Sequence, residues 1–287
     1  MIVPPIKIQG KKTKIVPKIM EIANNLLDEH PEIDTWVEPF LGSGVVAFNC
    51  PNHIKNVIVN DINPHIIKFY KGIADGVITP ESVKKEFEIH NQRLLTGGTN
   101  YYNEVKNRFN ESFETMDFLF LTRTGFNGVM RFNGSGKWNV PFCKLNNRLS
   151  NTVINDLVLS IQELSHLFDT KTFTFYNKSF EKVLDVSPEN SIFYCDPPYY
   201  GLQVQYFKGW NKEDEVRLNE MLKDKVFIYS TWLNDGKKDN PMIGEYWSDF
   251  EIEGKSHKYN VAEKSSQRNQ VTEGLIYPKT VNKYSLF

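Results

Sequence analysis

Cysteine is scarce in this chain, which has three among 287 residues, all far apart in the sequence. An odd number of widely spaced cysteines predicts no disulfide framework and fits a reducing cytoplasm. No cysteine and histidine spacing resembles a zinc site, so we expect no bound metal. The chain also lacks both a long apolar run and the apolar core of a signal peptide, and we expect a cytoplasmic protein without a membrane span.

Acidic residues are absent from residues 118–150, although the whole chain has a formal net charge of only −1. The basic residues of this stretch are Arg123, Arg131, Lys137, Lys144 and Arg148. Its aromatic residues are Phe118, Phe120, Phe126, Phe132, Trp138 and Phe142. Interleaved basic and aromatic residues without acids are typical of a surface that contacts nucleic acid. The alternative is a charged loop that is packed by its own aromatic side chains.

The order of predicted elements is that of a parallel sheet covered by helices. A helix over residues 14–27 precedes a strand, a glycine turn and the start of a helix in TWVEPFLGSGVVAF. A second strand, NVIVND, and a further helix follow. This alternation predicts the opening of a doubly wound α/β sheet.

The alternation stops near residue 79. Helical patterns over 81–95 and 101–110 lead into the acid-free stretch, where FNGSGKWNV predicts a hairpin. After a helix near 155–168, strands return at TFTFYN, SIFYCD and KVFIYSTW, the last preceded by a charged helix near 213–223. We therefore predict a parallel-sheet domain, residues 1–79 and 166–287, interrupted by a mostly helical domain, residues 80–165, that carries the hairpin.

Polar residues mark the ends of three predicted strands. The first strand ends in VEPFLGSG, in which Gly42 and Gly44 predict a tight turn, and the second ends at Asp61. The third runs into FYCDPPYYG, where Pro197 and Pro198 end the strand and Asp196 presents a carboxylate. Ligands bind at this edge of an open α/β sheet. An ordinary proline turn remains the alternative for the third motif alone.

The glycine turn does not match a pyrophosphate site. A complete G-x-G-x-x-G is missing, and so is the lysine of a phosphate-binding loop. Asp61 nevertheless follows the glycines at the spacing of an acid that binds ribose hydroxyls. A ligand with ribose and adenine but no pyrophosphate fits better, which points to S-adenosylmethionine.

Six motifs in order resemble the Dam-like (alpha-class) DNA adenine-N6 methyltransferases over nearly the full chain, closest to those of type II restriction–modification systems, such as that of the EcoRV system. The motifs are PPIKIQGKKTKIVP, WVEPFLGSGVVAFN, NDINPHIIKFY, FLFLTRTGFNGVMRFNGSGKWNVPF, KSFEKVL and YCDPPYYG. The resemblance implies a Rossmann-like methyltransferase sheet and a target-recognition domain at residues 80–165. It also implies site-specific methyl transfer from S-adenosylmethionine to N6 of a flipped adenine in duplex DNA. Cytosine-N4 transfer and a non-catalytic DNA-binding relative remain the alternatives.

The resemblance also implies roles for individual residues at the cofactor. Lys12 would meet the carboxylate of the cofactor, Asp61 its ribose, and Ser179 and Phe180 its adenine. The other implied cofactor contacts are Ile8, Glu38, Phe40, Gly42, Gly44 and Asp196.

For catalysis, we expect the Asp196 carboxylate and the Pro197 carbonyl to accept hydrogen bonds from the adenine N6 amino group, with Tyr199 stacking on the flipped base. The implied DNA contacts are Phe126, Asn127, Arg131, Asn133, Lys137, Pro141 and Arg268. Among them, Arg131 is expected to read guanine and Phe126 to wedge into the base stack, whereas Lys137, with Lys144 and Arg148, contacts phosphates. We expect a cytoplasmic, nucleoid-associated protein of a bacterial or phage-infected cell, with no obligatory protein partner.

Overall fold

One sheet of seven strands forms the centre of the described part of the chain, which is residues 1–201, 209–258 and 270–279 of a computed structural model. The strands are β1 Thr35–Glu38, β2 Asn56–Asn60, β3 Thr172–Tyr176, β4 Ser191–Cys195, β5 Val226–Asn234, β6 Glu251–Lys258 and β7 Gln270–Tyr277. Their order in the sheet is β3-β2-β1-β4-β5-β7-β6. Neighbours from β3 to β5 pair in parallel, whereas β7 is antiparallel to both β5 and β6. The predicted parallel α/β sheet is confirmed.

Eight α-helices accompany these strands in the described residues. They are α1 Val16–Glu29, α2 Pro64–Ala74, α3 Pro80–Ser112, α4 Thr115–Thr124, α5 Asn151–Thr170, α6 Phe180–Val186, α7 Lys212–Leu222 and α8 Pro241–Tyr246. Helix α3 is broken at Gly98, which has φ 48° and ψ −125°. That break separates the two helical patterns that the sequence predicts on either side of residue 98.

Local sequence explains where several helices begin. The Asn63 side chain accepts from the His65 amide at the start of α2, and Pro64 fills the first turn. At α3 the Thr79 side chain and Ser82 form a reciprocal capping box. In α1, apolar residues three and four positions apart (Ile19, Ile22 and Leu26) are all buried.

The helix that the sequence predicts directly after β1 is not an α-helix. The chain forms only a short 3-10 helix there, Ala47–Asn49. Gly42 and Gly44 both have positive φ, which helical residues do not adopt, and Pro51 prevents the helix from continuing. The turn is therefore held close to the end of β1.

The helices between β2 and β3 share one core with the sheet. Trp36 of β1, Phe87 of α3 and Phe120 of α4 are fully buried members of the same cluster. Phe118, Trp138 and Phe142 of the acid-free stretch belong to that cluster as well. Most of the aromatic residues in this stretch therefore pack inside the protein, as the alternative interpretation expected, and Phe126 is the one that is exposed.

The predicted chain reversal in FNGSGKWNV is present. Phe132 and Trp138 form an antiparallel bridge, and the Asn133 amide donates to the Lys137 carbonyl at 2.8 Å. Gly136 takes the positive φ of 72° that the tip requires. Among the residues that the structure describes, no helix is long and apolar enough to cross a membrane.

Candidate active site

The order of the strands places the chemistry-bearing residues at one edge of the sheet. Strand β1 lies between β2 and β4, and Val37 is in register with Phe193. The chain runs to one side of β1 through β2 and β3, and to the other side through β4 and β5. Because ligands of open α/β sheets bind at such a switch point, the carboxyl ends of β1 and β4 define the candidate site. Glu38 ends β1, and Asp196 follows β4.

Asp61 ties the glycine turn to the end of β2. Its carboxylate accepts hydrogen bonds from the amides of Gly42 and Asn63, each at 2.8 Å. Burial raises the pKa of Asp61 to about 6, and these two hydrogen bonds act in the opposite direction. Gly42 has φ 50°, and a side chain there would meet no atom within 4 Å. The turn thus leaves open space beside an acid, as a ligand site requires.

Asn60, at the end of β2, was not singled out in the sequence analysis and joins the loops that follow β1 and β3. Its buried amide donates to the carbonyls of Pro39 and Lys178 at 2.8 and 3.1 Å, and its oxygen accepts from the Lys178 amide at 2.8 Å. Asn177 in turn donates to the Asp61 carbonyl at 2.7 Å. The only sequence feature that could have identified Asn60 is its polar side chain at the last position of a buried strand.

Aromatic rings gather near the expected adenine site. Phe40 lies 5.5 Å from Phe180 and 5.4 Å from Trp210, and Phe180 lies 5.3 Å from Trp210, measured between ring centroids. The Trp210 indole donates to Glu215 at 2.8 Å. Ser179 precedes α6 as its N-terminal cap residue and places Phe180 in this group. The sequence analysis predicted Phe40 and Phe180 but missed Trp210, which belongs to none of the six motifs.

A buried network of charges surrounds Asp196. The Lys12 ammonium lies 3.2 Å from an Asp196 carboxylate oxygen and 3.4 Å from Glu273, and it donates to the Tyr199 hydroxyl at 2.7 Å. Tyr199 also donates to Glu273 at 3.4 Å. Lys12, Tyr199 and Glu273 are each less than 10% exposed. Lys12 therefore contacts the acid of the D-P-P-Y motif, and Glu273 is a member that the sequence analysis missed.

The ionisation of this network follows from burial and charge together. Burial raises the pKa of Asp196 to about 6, the nearby Lys12 charge lowers it, and Glu273 adds to the rise. Burial also lowers the pKa of Lys12, but Asp196, Tyr199 and Glu273 outweigh it and raise that pKa well above its usual value. Lys12 is thus a permanent cation, whereas Asp196 is mainly ionised at neutral pH.

Two further side chains border the network on β4. The Tyr194 hydroxyl is buried and has no hydrogen-bond partner among the residues that the structure describes. Burial raises the pKa of the Cys195 thiol well above its usual value, so this cysteine stays protonated and is unsuited to act as a nucleophile. No group of acids, histidines and cysteines within the described ranges is arranged to hold a metal ion.

The residues at this edge fit S-adenosylmethionine. The open space at Gly42, the half-buried Asp61 carboxylate and the unpartnered Tyr194 hydroxyl offer a cradle with polar groups. Phe40 and Phe180 supply apolar faces of the kind that an adenine ring packs against. Ile8 is different, because it is half-buried and packs against the main core.

Six of the seven predicted DNA-contacting residues lie on the loops after α4. Phe126 is 43% exposed, and its amide donates to the Pro141 carbonyl at 2.9 Å. Asn127 is exposed in a left-handed conformation, with φ 51°. Lys137 is exposed beside the hairpin tip. Arg268 lies outside the described residues.

Two of these side chains are already bound within the hairpin. The Arg131 guanidinium donates to the side-chain oxygen and the carbonyl of Asn139 at 2.6 and 2.9 Å. Asn133 accepts from the amides of Ser135 and Lys137 at 3.0 and 2.9 Å. Asn139 therefore orients the Arg131 guanidinium.

A cluster of cations lies beside these loops. The N-terminal segment contributes Lys7 and Lys11, α4 contributes Arg123, and the loop before α5 contributes Arg148. Arg123 donates to the Pro5 carbonyl at 3.3 Å, and Arg148 donates to the Arg123 carbonyl at 3.2 Å. Burial, together with repulsion from neighbouring cations, lowers the pKa values of Lys7, Lys11 and Arg123, that of Lys11 to about 8. Such mutual repulsion favours an anion as the partner.

Comparisons with known proteins identify the family of the chain. Residues 9–261 match the family described as D12 class N6 adenine-specific DNA methyltransferase. Type II methyltransferase M1.LlaDCHI of Lactococcus lactis subsp. cremoris is 25% identical over 284 residues, which cover 93% of this chain and 92% of that protein. The retron Ec67 DNA adenine methylase of Escherichia coli is 31% identical over 229 residues, covering 76% of this chain and 71% of that protein.

Type II methyltransferase M.FokI of Planomicrobium okeanokoites is 25% identical over 284 residues. The alignment covers 95% of this chain but only 42% of that longer protein. The resemblance that the six motifs carry is confirmed, since the matched family and its members have the same reaction class. The chain belongs to the D12 class of N6 adenine-specific DNA methyltransferases.

Proposed function

We propose that this chain methylates N6 of an adenine within a short specific site of duplex DNA, and that Asp196 contacts the reacting amino group during transfer. The observation that carries the proposal is the position of Asp196 at the switch point, in contact with the buried Lys12. The restriction–modification enzymes among its relatives suggest that it modifies DNA as one half of such a system.

Adenine N6 is a weak nucleophile because its lone pair is delocalised into the ring. The Asp196 carboxylate and the Pro197 carbonyl accept hydrogen bonds from the amino group and favour a pyramidal nitrogen. Pro197 and Pro198 fix both acceptors in place, so that little reorganisation is needed. S-adenosylmethionine supplies an electrophilic methyl group when it is bound at Glu38, Phe40, Gly42, Gly44, Asp61, Ser179 and Phe180.

We propose for Lys12 a role beyond the contact with the cofactor carboxylate that the resemblance implies. Its ammonium holds the Asp196 carboxylate at 3.2 Å and stabilises the anion against the effect of burial. The Tyr199 hydroxyl is hydrogen-bonded to Lys12 and Glu273. These bonds fix the plane of the ring against which the flipped base would stack. The chain thus prepares both the acceptor and the stacking surface before a base arrives.

Duplex DNA is proposed to lie across residues 80–165, the target-recognition domain. Phe126 is exposed and suited to enter the base stack, and Asn127, Arg131, Asn133 and Pro141 lie on the same loops after α4. The cations Lys7, Lys11, Arg123 and Arg148, together with Lys137 and Lys144, would neutralise phosphates. Arg268 is proposed to add a contact from the C-terminal part of the chain.

The test combines product identification with a change at Asp196. Digestion of treated DNA to nucleosides and mass analysis should yield N6-methyladenine, and N4-methylcytosine as the product would contradict the proposal. We expect Asp196→Ala to abolish transfer while DNA binding stays within about tenfold, because this carboxylate contacts the reacting amine and no phosphate. Asp75→Asn, at an exposed acid paired with Lys71, is the control. Near-normal single-turnover methylation by Asp196→Ala would reject this site.

A further inference from the structure

Glu273 reaches the active site from a part of the chain that the family match does not cover. It lies on β7, whereas the match ends at residue 261. In the sheet it stands opposite Trp232 of β5 and Lys255 of β6. Its Oε1 atom lies 3.4 Å from both the Lys12 ammonium and the Tyr199 hydroxyl. The antiparallel edge of the sheet therefore supplies one side of the charge network.

The burial of Glu273 requires a physical reason. A carboxylate that is only 7% exposed loses most of its hydration, and this cost is offset only by charged or hydrogen-bonding partners. The Lys12 ammonium is in contact with Glu273 and also with Asp196. Two carboxylates thus share one buried ammonium, an arrangement that an apolar side chain at residue 273 would not require.

We propose that Glu273 is a positioning residue for methyl transfer, whose carboxylate holds the Lys12 ammonium and the Tyr199 phenol against Asp196. The inference rests on the proposed role of Asp196. In this role Glu273 contacts neither the base nor the methyl donor, and it acts through Lys12 and Tyr199. Its negative charge also lies across Lys12 from Asp196, so it opposes the ionisation of that acid.

The groups that face Asp196 come from every element packed around it. They are Lys12 of the N-terminal segment, Glu38 of β1, Tyr194 of β4, Tyr199 of the turn, Ser230 of β5 and Glu273 of β7. Among these groups of the described residues, the acids are Glu38 and Glu273, and burial raises the pKa of Glu38 well above its usual value, which disfavours its anion. Glu273 is therefore the anion whose removal should most ease the ionisation of Asp196.

Glu273→Gln tests both parts of the inference because it keeps the shape and removes the charge. The measurement is the single-turnover methylation rate with saturating DNA and donor, from about pH 5 to about pH 9. We expect the acid limb of the profile to move about one unit to lower pH, since the pKa of Asp196 falls. The plateau rate should fall about tenfold, because Lys12 and Tyr199 are held less firmly. Glu273→Asp, which keeps the charge but is shorter, should lower the plateau and leave the limb in place.

Glu253→Gln is a matched control on the same antiparallel pair of strands. Glu253 also binds a lysine and a tyrosine, Lys18 at 2.9 Å and Tyr277 at 2.5 Å, but it shares no residue with the network. Its profile should equal that of the unchanged protein. Asp196→Ala, run in parallel, tests the proposed site separately, because it removes the acceptor: an active Asp196→Ala would reject the site itself. With Asp196→Ala inactive, an unmoved acid limb or an unchanged plateau in Glu273→Gln would overturn the role of Glu273 alone.

Discussion

At the residue scale, Asp61 is a carboxylate that holds the glycine turn and that we propose also binds the cofactor ribose. Its two oxygens accept from the amides of Gly42 and Asn63. A carboxylate has about four lone-pair sites, so room remains for two ribose hydroxyls. Because burial raises the pKa of Asp61 to about 6, the acid is ionised at neutral pH and becomes protonated as the pH falls below that value.

Asp61→Ala should therefore weaken the binding of S-adenosylmethionine by about 1.5–3 kcal/mol, the usual value of a hydrogen bond to a charged group. Titration calorimetry at neutral pH measures the affinity, and thermal unfolding shows whether the glycine turn has also loosened. In the unchanged protein, the affinity should decline as the pH falls through about 6. An Asp61→Ala protein with unaltered donor affinity would place the cofactor elsewhere.

At the scale of the elements, the hairpin after α4 separates two kinds of cation. Arg131 is fixed in position by Asn139, whereas Lys137 is exposed beside the tip. A guanidinium fixed in one direction suits recognition of a base edge, and an exposed ammonium suits a phosphate. The two variants of this hairpin should therefore differ in how they depend on DNA sequence.

We expect Arg131→Ala to cost about 1–3 kcal/mol at the cognate site and to relax discrimination at one base pair. Lys137→Ala should weaken binding to all sequences alike and reduce the salt slope by about one. Methylation and binding on a panel of single-base variants at two salt concentrations distinguish them. A uniform loss for Arg131→Ala would show that Arg131 only positions the DNA backbone.

The glycine turn after β1 offers a second contrast between neighbouring positions. Both glycines have positive φ, but a side chain at Gly42 meets open space, whereas one at Gly44 would lie 2.2 Å from the Phe48 ring. Gly42→Ala should cost about 1–2 kcal/mol of unfolding free energy through its backbone alone. It should also lower donor affinity, because its methyl group enters the space beside Asp61.

Gly44→Ala should destabilise the fold further, by about 2–4 kcal/mol, because the clash with Phe48 adds to the backbone cost. Denaturant unfolding gives the free energies for both variants, and calorimetry gives their donor affinities. Equal destabilisation by the two changes would mean that the Phe48 ring moves aside without cost.

At the scale of the whole molecule, the N-terminal segment connects the charge network around Asp196 to the loops after α4, the proposed DNA-contacting surface. Lys12 reaches Asp196, while three residues earlier the Gln9 amide donates to the Gly128 carbonyl at 3.1 Å. Lys7 and Lys11 of the same segment join the cation cluster with Arg123. One short segment thus contacts both the edge of the sheet and the loop that carries Phe126.

The cation cluster predicts that DNA affinity depends on pH in the alkaline range. Since the pKa of Lys11 is lowered to about 8, its ammonium loses its proton as the pH rises through that value, and a phosphate contact is lost. The affinity of the unchanged protein should fall by roughly tenfold between about pH 7 and about pH 9. Lys11→Met should reduce this dependence, whereas Lys14→Met, at an exposed lysine nearby, should keep it. Fluorescence anisotropy with a cognate duplex measures both, and an identical pH dependence in Lys11→Met would contradict the assignment.

Local sequence alone determined most of the helices, the five parallel strands and three of the strand-end residues. Apolar periodicity, caps such as Thr79 and stops such as Pro197 act over a few residues, so they can be read without tertiary contacts. Gly42, Asp61 and Asp196 can be predicted in the same way. Each follows a predicted strand, and residues at the carboxyl ends of the strands lie at the ligand-binding edge of the sheet.

Tertiary structure alone decided which distant residues meet. Glu273 lies more than 70 positions from Tyr199 in sequence, and Trp210 has no motif around it, yet the pairing of β7 with β5 and the packing beside α7 bring them to the site. It also decided that Trp138 and Phe142 are buried whereas Phe126 is exposed. All three residues are aromatic, so residue type does not separate them. Whether each one is buried depends on where the folded chain places it.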